Sequence, residues 1–250
     1  MNKRLNHIIS IIGIVFIPVI WIFCKDALGI SDRYLPSISA TFSAIKDIEP
    51  NIFIHSLYTI TRLGLGMILG IFIGISLGLC IYSSAIMRNF LSPIIQSIRS
   101  VPPIATVPFF LLWFGFSEFG KYFMVTLGIS LNIAVSAYQI LIKMPEKYSI
   151  FFKSFGINPS RQIKSYSLPV VLENIFPTVR FSLSMAIGLV IVSELLGAQV
   201  GLGYLIQTSR STFSIHAIFL AVIFLGIINF IFDTIIRWLW KKIVYWQVKQ

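Results

Sequence analysis

The residues of this chain with most chemistry to offer are four ionisable side chains inside or beside long apolar runs: Arg62, Arg180, Glu194 and Asp233. A charge near the centre of a bilayer costs about 2.5 to 3.5 kcal/mol on insertion scales, so each needs a partner or water. Arg180 follows the start of one apolar run by a few residues, and Asp233 precedes the end of the next by a few. In antiparallel helices their depths match, which predicts a structural ion pair; Asp233 with Arg237 at i, i+4 is the local alternative. Glu194, just before Gly197 and the 201–203 turn, reads by position as a solvated interfacial carboxylate or a hydrogen-bonded helix end. Glu194 or Asp233 would also serve as the proton site of a secondary transporter. His7, His55 and His216 are scattered singly and read as interfacial, while Cys24 and Cys80 sit in separate apolar runs. Neither a metal site nor a catalytic cluster is expected, and a membrane enzyme is disfavoured. Gly115, Gly120 and Lys121 imitate the start of a phosphate-binding loop, but Tyr122 replaces the required Ser or Thr and no strand precedes it. ATP is therefore expected on another chain, with no cofactor on this one.

The elements that must position these groups are membrane helices. Of 250 residues, 56% are hydrophobic and 12% charged, with a mean hydropathy of +0.87, which excludes an ordinary soluble domain. Runs long enough to cross a 30 Å hydrocarbon layer cover residues 8–23, 63–82, 90–116, 122–142, 175–196 and 215–238. The third contains Pro93, Pro102, Pro103 and Pro108, so a kink or a re-entrant segment is expected there. The first follows Lys3 and Arg4 without a small-residue cleavage site, and reads as a retained anchor. With both termini in the cytoplasm, most lysines and arginines fall inside, among them Lys143, Lys153, Arg161, Lys164, Arg237, Lys241 and Lys242. The net charge of +11 is then an insertion signal, and lipid rather than nucleic acid is the partner it implies. The expected class is an all-α, multi-pass membrane protein of about six transmembrane helices. It divides into an anchor and extracytoplasmic segment (1–56), a transmembrane domain (57–240) and a basic cytoplasmic tail (241–250).

Gly66, Gly70, Gly74 and Gly78 recur every fourth residue, a stripe on which another helix can approach closely. Packing within the subunit is the first reading, ahead of a homodimer contact or a substrate-lining face. The stretch 143–169 is too polar to cross a membrane. It predicts two short helices: one begins near Pro145 and ends at a left-handed Gly156; the next starts at Asn158-Pro159 and is limited by Pro169. Tyr148, Phe151, Phe152 and Phe155 fall at i, i+3, i+4 and i+7, an aromatic stripe, with Lys153 on another face. The rings either pack on the chain's own helix ends or fill a groove on a partner.

Ser154-Phe155-Gly156 followed by Leu168-Pro169 resembles the cytoplasmic EAA loop of permease subunits of ATP-binding cassette importers. Leu35-Pro36-Ser37, residues 99–105 (Arg-Ser-Val-Pro-Pro-Ile-Ala), Leu112-Trp113-Phe114-Gly115, residues 194–197 (Glu-Leu-Leu-Gly) and residues 201–206 narrow the resemblance to the nitrate, sulfonate and taurine type. The resemblance spans about residues 35 to 240. It implies the type I importer permease fold, with a coupling helix between helices 4 and 5. It also implies a second permease subunit, most simply an identical copy, a cytoplasmic ATPase dimer carrying ATP and magnesium, and an extracytoplasmic solute-binding protein. Tyr148, Phe151, Phe152, Lys153, Phe155, Gly156, Leu168 and Pro169 would couple to the ATPase, and Arg99, Pro102, Pro103, Glu194 and Gly197 would line the path of a small, anionic solute. Where the family usually carries Glu-Ala-Ala, this chain has Ile150-Phe151-Phe152, so the family's glutamate contact is not carried over. A non-transporting scaffold is the remaining alternative.

Overall fold

The computed structural model describes residues 3–245, except for the side chains of residues 3–11, 14, 146, 147, 149, 153, 159 and 160. Among the described residues twelve α-helices follow one another: α1 (Lys3–Asp26), α2 (Ile38–Ser43), α3 (Ile52–Ser83), α4 (Ala85–Ser100), α5 (Val107–Phe114), α6 (Glu118–Ile142), α7 (Glu146–Ser154), α8 (Pro159–Gln162), α9 (Leu168–Asn174), α10 (Phe176–Gly197), α11 (Leu202–Ser211) and α12 (Ile215–Ile243). Four of them, α3, α6, α10 and α12, are long and apolar enough to cross a membrane. The proline-rich run is the bent element the sequence predicts: α4 and the 3-10 turn with α5 meet at 86° across a short break. The first predicted run lies in α1, whose first side chains fall outside the described residues; Trp21 of α1 donates from Nε1 to the Pro36 carbonyl (2.8 Å) and packs on Phe219 of α12.

Helix α3 begins well before the predicted residue 63. The Asn51 side chain caps it by accepting from the Phe53 N–H (3.0 Å), and its 32 residues extend about 48 Å at 1.5 Å per residue. That exceeds the hydrocarbon thickness, so an early part of α3 is free to carry polar residues at one end of the bundle.

The glycine stripe sits where packing requires it. A Cβ on Gly66, Gly70, Gly74 or Gly78 would stand 2.5 to 2.7 Å from Val125, Ile129, Ile133 or Ala137 of α6, closer than carbon atoms approach. The sequence offset is the same at all four contacts, so α3 and α6 run parallel and in register. Their seam, with Leu63, Ile129, Ile133, Leu183, Leu189 and Leu220, forms the buried core. Asn132 of α6 donates to Ser182 Oγ of α10 across it (2.9 Å).

Between α6 and α10 the first predicted short helix ends as expected, at Gly156 with φ of +62°. The second does not stop at Pro169. A π-helical turn at Ile163–Ser167 joins α8 to α9, and Pro169 lies in the first turn of α9. Proline lacks an N–H and fixes φ, which a helix tolerates at its start, so the residue expected to end one helix instead opens the next.

Candidate translocation path and docking surface

At the break between α4 and α5, the chain borders an open cavity of about 480 Å³ against α6 and α10. Arg99 and Pro103 line it, with Pro102 forming the break itself. Its walls are mostly aromatic and apolar, including Phe109, Phe110, Trp113 and Phe181, with Thr106 and Asn132 as polar groups. Pro102 and Pro103 contribute no backbone donor, and their carbonyls accept from the Ala105 N–H (2.9 Å) and Thr106 Oγ1 (2.6 Å). The bend therefore leaves little backbone polarity unsatisfied at membrane depth.

Glu194 and Gly197 do not line that cavity. Glu194 is fully buried, and Gly197 packs against Leu111 and Phe116. Arg62, 1% exposed, donates from Nη1 to Glu194 Oε1 and to the Val200 carbonyl (2.7 Å each), and from Nε and Nη2 to Glu118 (2.8 and 2.7 Å). Lys121 donates to Glu118 Oε1 (2.9 Å) and to the Phe116 carbonyl (3.0 Å). Two cations and two carboxylates thus balance. The same cluster captures three successive backbone N–H groups at the start of α11: Gly201 donates to His55 Nδ1 (3.0 Å), Leu202 to Thr59 Oγ1 (2.9 Å) and Gly203 to Glu194 Oε2 (2.8 Å). Gly201 has φ of +141°, and a Cβ there would run into the Glu194 carboxylate. His55, expected at the interface, is fully buried for the same reason: its ring nitrogen is the acceptor for that turn. Sequence reasoning missed Thr59, His55, Glu118 and Lys121. A signal existed, since Arg62, Glu118, Lys121 and Glu194 all lie at the run ends that alternate to one side of the membrane, the depth argument that paired Arg180 with Asp233.

Arg180 Nε donates to Asp233 Oδ1 (2.6 Å) and its Nη2 to Oδ2 (3.1 Å). Arg237 also reaches Asp233, from Nε at 2.9 Å, so the predicted pair and its local alternative coexist on one carboxylate.

The aromatic stripe of α7 divides. Tyr148 and Phe152 stack toward Tyr166 of the π-helical turn, with ring centroids 5.1 and 4.9 Å apart. Burial, with Tyr148 and Tyr82 nearby, pushes the Tyr166 phenol up to about 12, so it stays neutral. Phe151 and Phe155 stack on each other at 4.6 Å yet remain 50% and 70% exposed, beside exposed Ile150. Phe152 is thus partly covered by internal packing, Tyr148 meets Tyr166 while staying exposed, and Phe151 and Phe155 form an uncovered apolar surface. Leu168 packs on the core, and the Lys153 side chain lies outside the described residues. Among the described residues no group of His, Cys, Asp and Glu is placed to hold a metal.

Comparison with known proteins gives a consistent picture. A family model described as "Binding-protein-dependent transport system inner membrane component" matches residues 66–245. SsuC of Bacillus subtilis, a permease protein named for aliphatic sulfonates transport, is 28% identical over 98% of this chain and 90% of its own length. The taurine transport system permease protein TauC of Escherichia coli is 26% identical over 77% and 70%. The nitrate import permease protein NrtB of Synechocystis is 24% identical over 93% and 88%. Among solved structures, an inward-facing MetNI methionine ABC transporter chain superposes with a TM-score of 0.59 at 22% identity, covering 76% of this chain and 98% of that one, a likeness of fold.

Proposed function

Because the chain belongs to the family of binding-protein-dependent transport system inner membrane components, we propose that it is the permease of an ATP-driven importer and forms half of a path for a small anionic solute. The anionic class rests on the relatives, whose names specify sulfonates, taurine and nitrate. The chain performs no chemistry itself; ATP and magnesium belong to a cytoplasmic ATPase dimer, and an extracytoplasmic binding protein delivers the solute. A second permease subunit, an identical copy, closes the path. In this reading the α7 end of the bundle faces the cytoplasm, as do both termini.

One observation carries the coupling role: Phe151 and Phe155 form an uncovered apolar surface at the end of a short helix that stops at a left-handed Gly156 and packs on Tyr166 of the following π-helical turn. Such rings suit a groove on a partner, and a helix fixed at its exit transmits displacement better than a slack loop. Tyr148 and Phe152 hold that helix to Tyr166, so they set its position while Phe151 and Phe155 make the contact.

The test is Phe155→Asp, which charges the exposed part without disturbing the Tyr166 stack. The expected outcome is loss of ATPase co-purification and of solute uptake at unchanged permease levels in the membrane. Unchanged association together with unchanged uptake would remove the docking assignment.

A further inference from the structure

Arg99 borders two cavities rather than one. Beyond the aromatic chamber of about 480 Å³, it also lines a second chamber of about 290 Å³ toward the α7 end, between α4 and α6. The second is polar where the first is aromatic: Ser92, Gln96, Tyr138 and Gln139 contribute to its lining. Ser92, Gln96 and Arg99 fall at i, i+4 and i+7 on α4, a polar stripe that stops at the 86° break.

Arg99 is the sole charged residue lining either chamber, and it makes no ion pair among the described residues. Arg88, on the same helix, also has no ion pair among the described residues but lines neither chamber, and Arg62 and Arg180 in the spanning helices differ. Arg62 is matched by Glu118 and Glu194, and the cavity that Arg180 lines contains its partner Asp233. Arg99 is exposed along its cavities, so its unmatched guanidinium is open to water or to a passing anion.

Resting on the reading of this break as the solute path, we propose that Arg99 is the solute-selecting residue of the permease. It is a single cation at the junction of the aromatic and the polar chamber, which favours anions with an apolar body and disfavours cations in both. The aromatic walls receive the body of the solute, the guanidinium meets the anionic group, and the polar stripe of α4 provides hydrogen-bonding groups on the far side.

The experiment measures the local potential directly, in membranes containing the complete transporter. In a Cys24→Ser, Cys80→Ser background, Leu131→Cys reports on the aromatic chamber and Gln139→Cys on the polar one. Each is labelled with 2-sulfonatoethyl methanethiosulfonate and with its trimethylammonioethyl counterpart, and the ratio of the two rates is compared with that of free cysteine. The expected result is a ratio favouring the anionic reagent at both positions, lowered about tenfold by Arg99→Gln and retained by Arg99→Lys. With Arg99 intact, raising the salt from about 0.05 to about 0.5 M should lower the same ratio, a measurement independent of any Arg99 variant. If both cysteines react but neither Arg99→Gln nor salt moves the ratio, the Arg99 assignment fails while the path stands. If neither cysteine reacts with either reagent, the chambers are closed to water, and the path and the proposal fall together.

Discussion

The two ends of the bundle satisfy their side chains in opposite ways. At the end where α3 and α6 begin, Arg62, Glu118, Lys121 and Glu194 pair completely, and Thr59, His55 and Glu194 take up three consecutive amides of the 201–203 turn. At the α7 end, Ile150, Phe151 and Phe155 present apolar surface that nothing among the described residues covers. A cluster of paired charges holds helices in one arrangement, whereas an uncovered apolar surface is available to a partner. A long apolar helix discloses neither property, which explains why both ends read alike in hydropathy.

That contrast can be broken most forcefully at its closed end. Arg62→Met leaves Glu194 buried without its cation, and removal of one partner from a buried pair costs about 3 to 5 kcal/mol. The expected result is a large fall in the thermal denaturation midpoint of the purified protein and in its membrane level; a midpoint within a degree of the parent would show that the cluster is not what fixes this end. Gly74→Leu comes next. It drives a side chain into Ile133 and the Ser130 carbonyl, and overpacking of this kind costs about 1 to 3 kcal/mol. The same midpoint should fall less, and a stabilised variant would refute the seam. Asp233→Asn should shift it least, by about 0 to 1 kcal/mol, because Arg180 and Arg237 are both substantially exposed beside it. Phe155→Asp sharpens the comparison from the other side, since coupling should be lost with the midpoint unchanged.

Much of this was legible in order and spacing. The four-residue glycine repeat announced a close helix contact, and the structure assigns it to α6 within the same chain. The clustered prolines announced the bend, and Gly156 announced the end of α7. What stayed hidden depends on distant partners. Nothing local to His55 says that its acceptor nitrogen meets the amide of residue 201, and nothing local to Glu194 names Arg62 of α3 as its partner. The aromatic stripe was ambiguous for a physical reason: helical spacing groups rings on one side, but only the position of Tyr166 decides which of them are covered.

The right-angled junction of α4 and α5 has a mechanical consequence. Its prolines have no amide to recruit into a straighter helix, and their oxygens are already engaged, so unbending would bring no compensating bond. The two limbs should therefore travel as a stiff crank, opening or shutting the space beside Arg99 by sliding over α6 as one piece, and a partner pushing on either limb would move both.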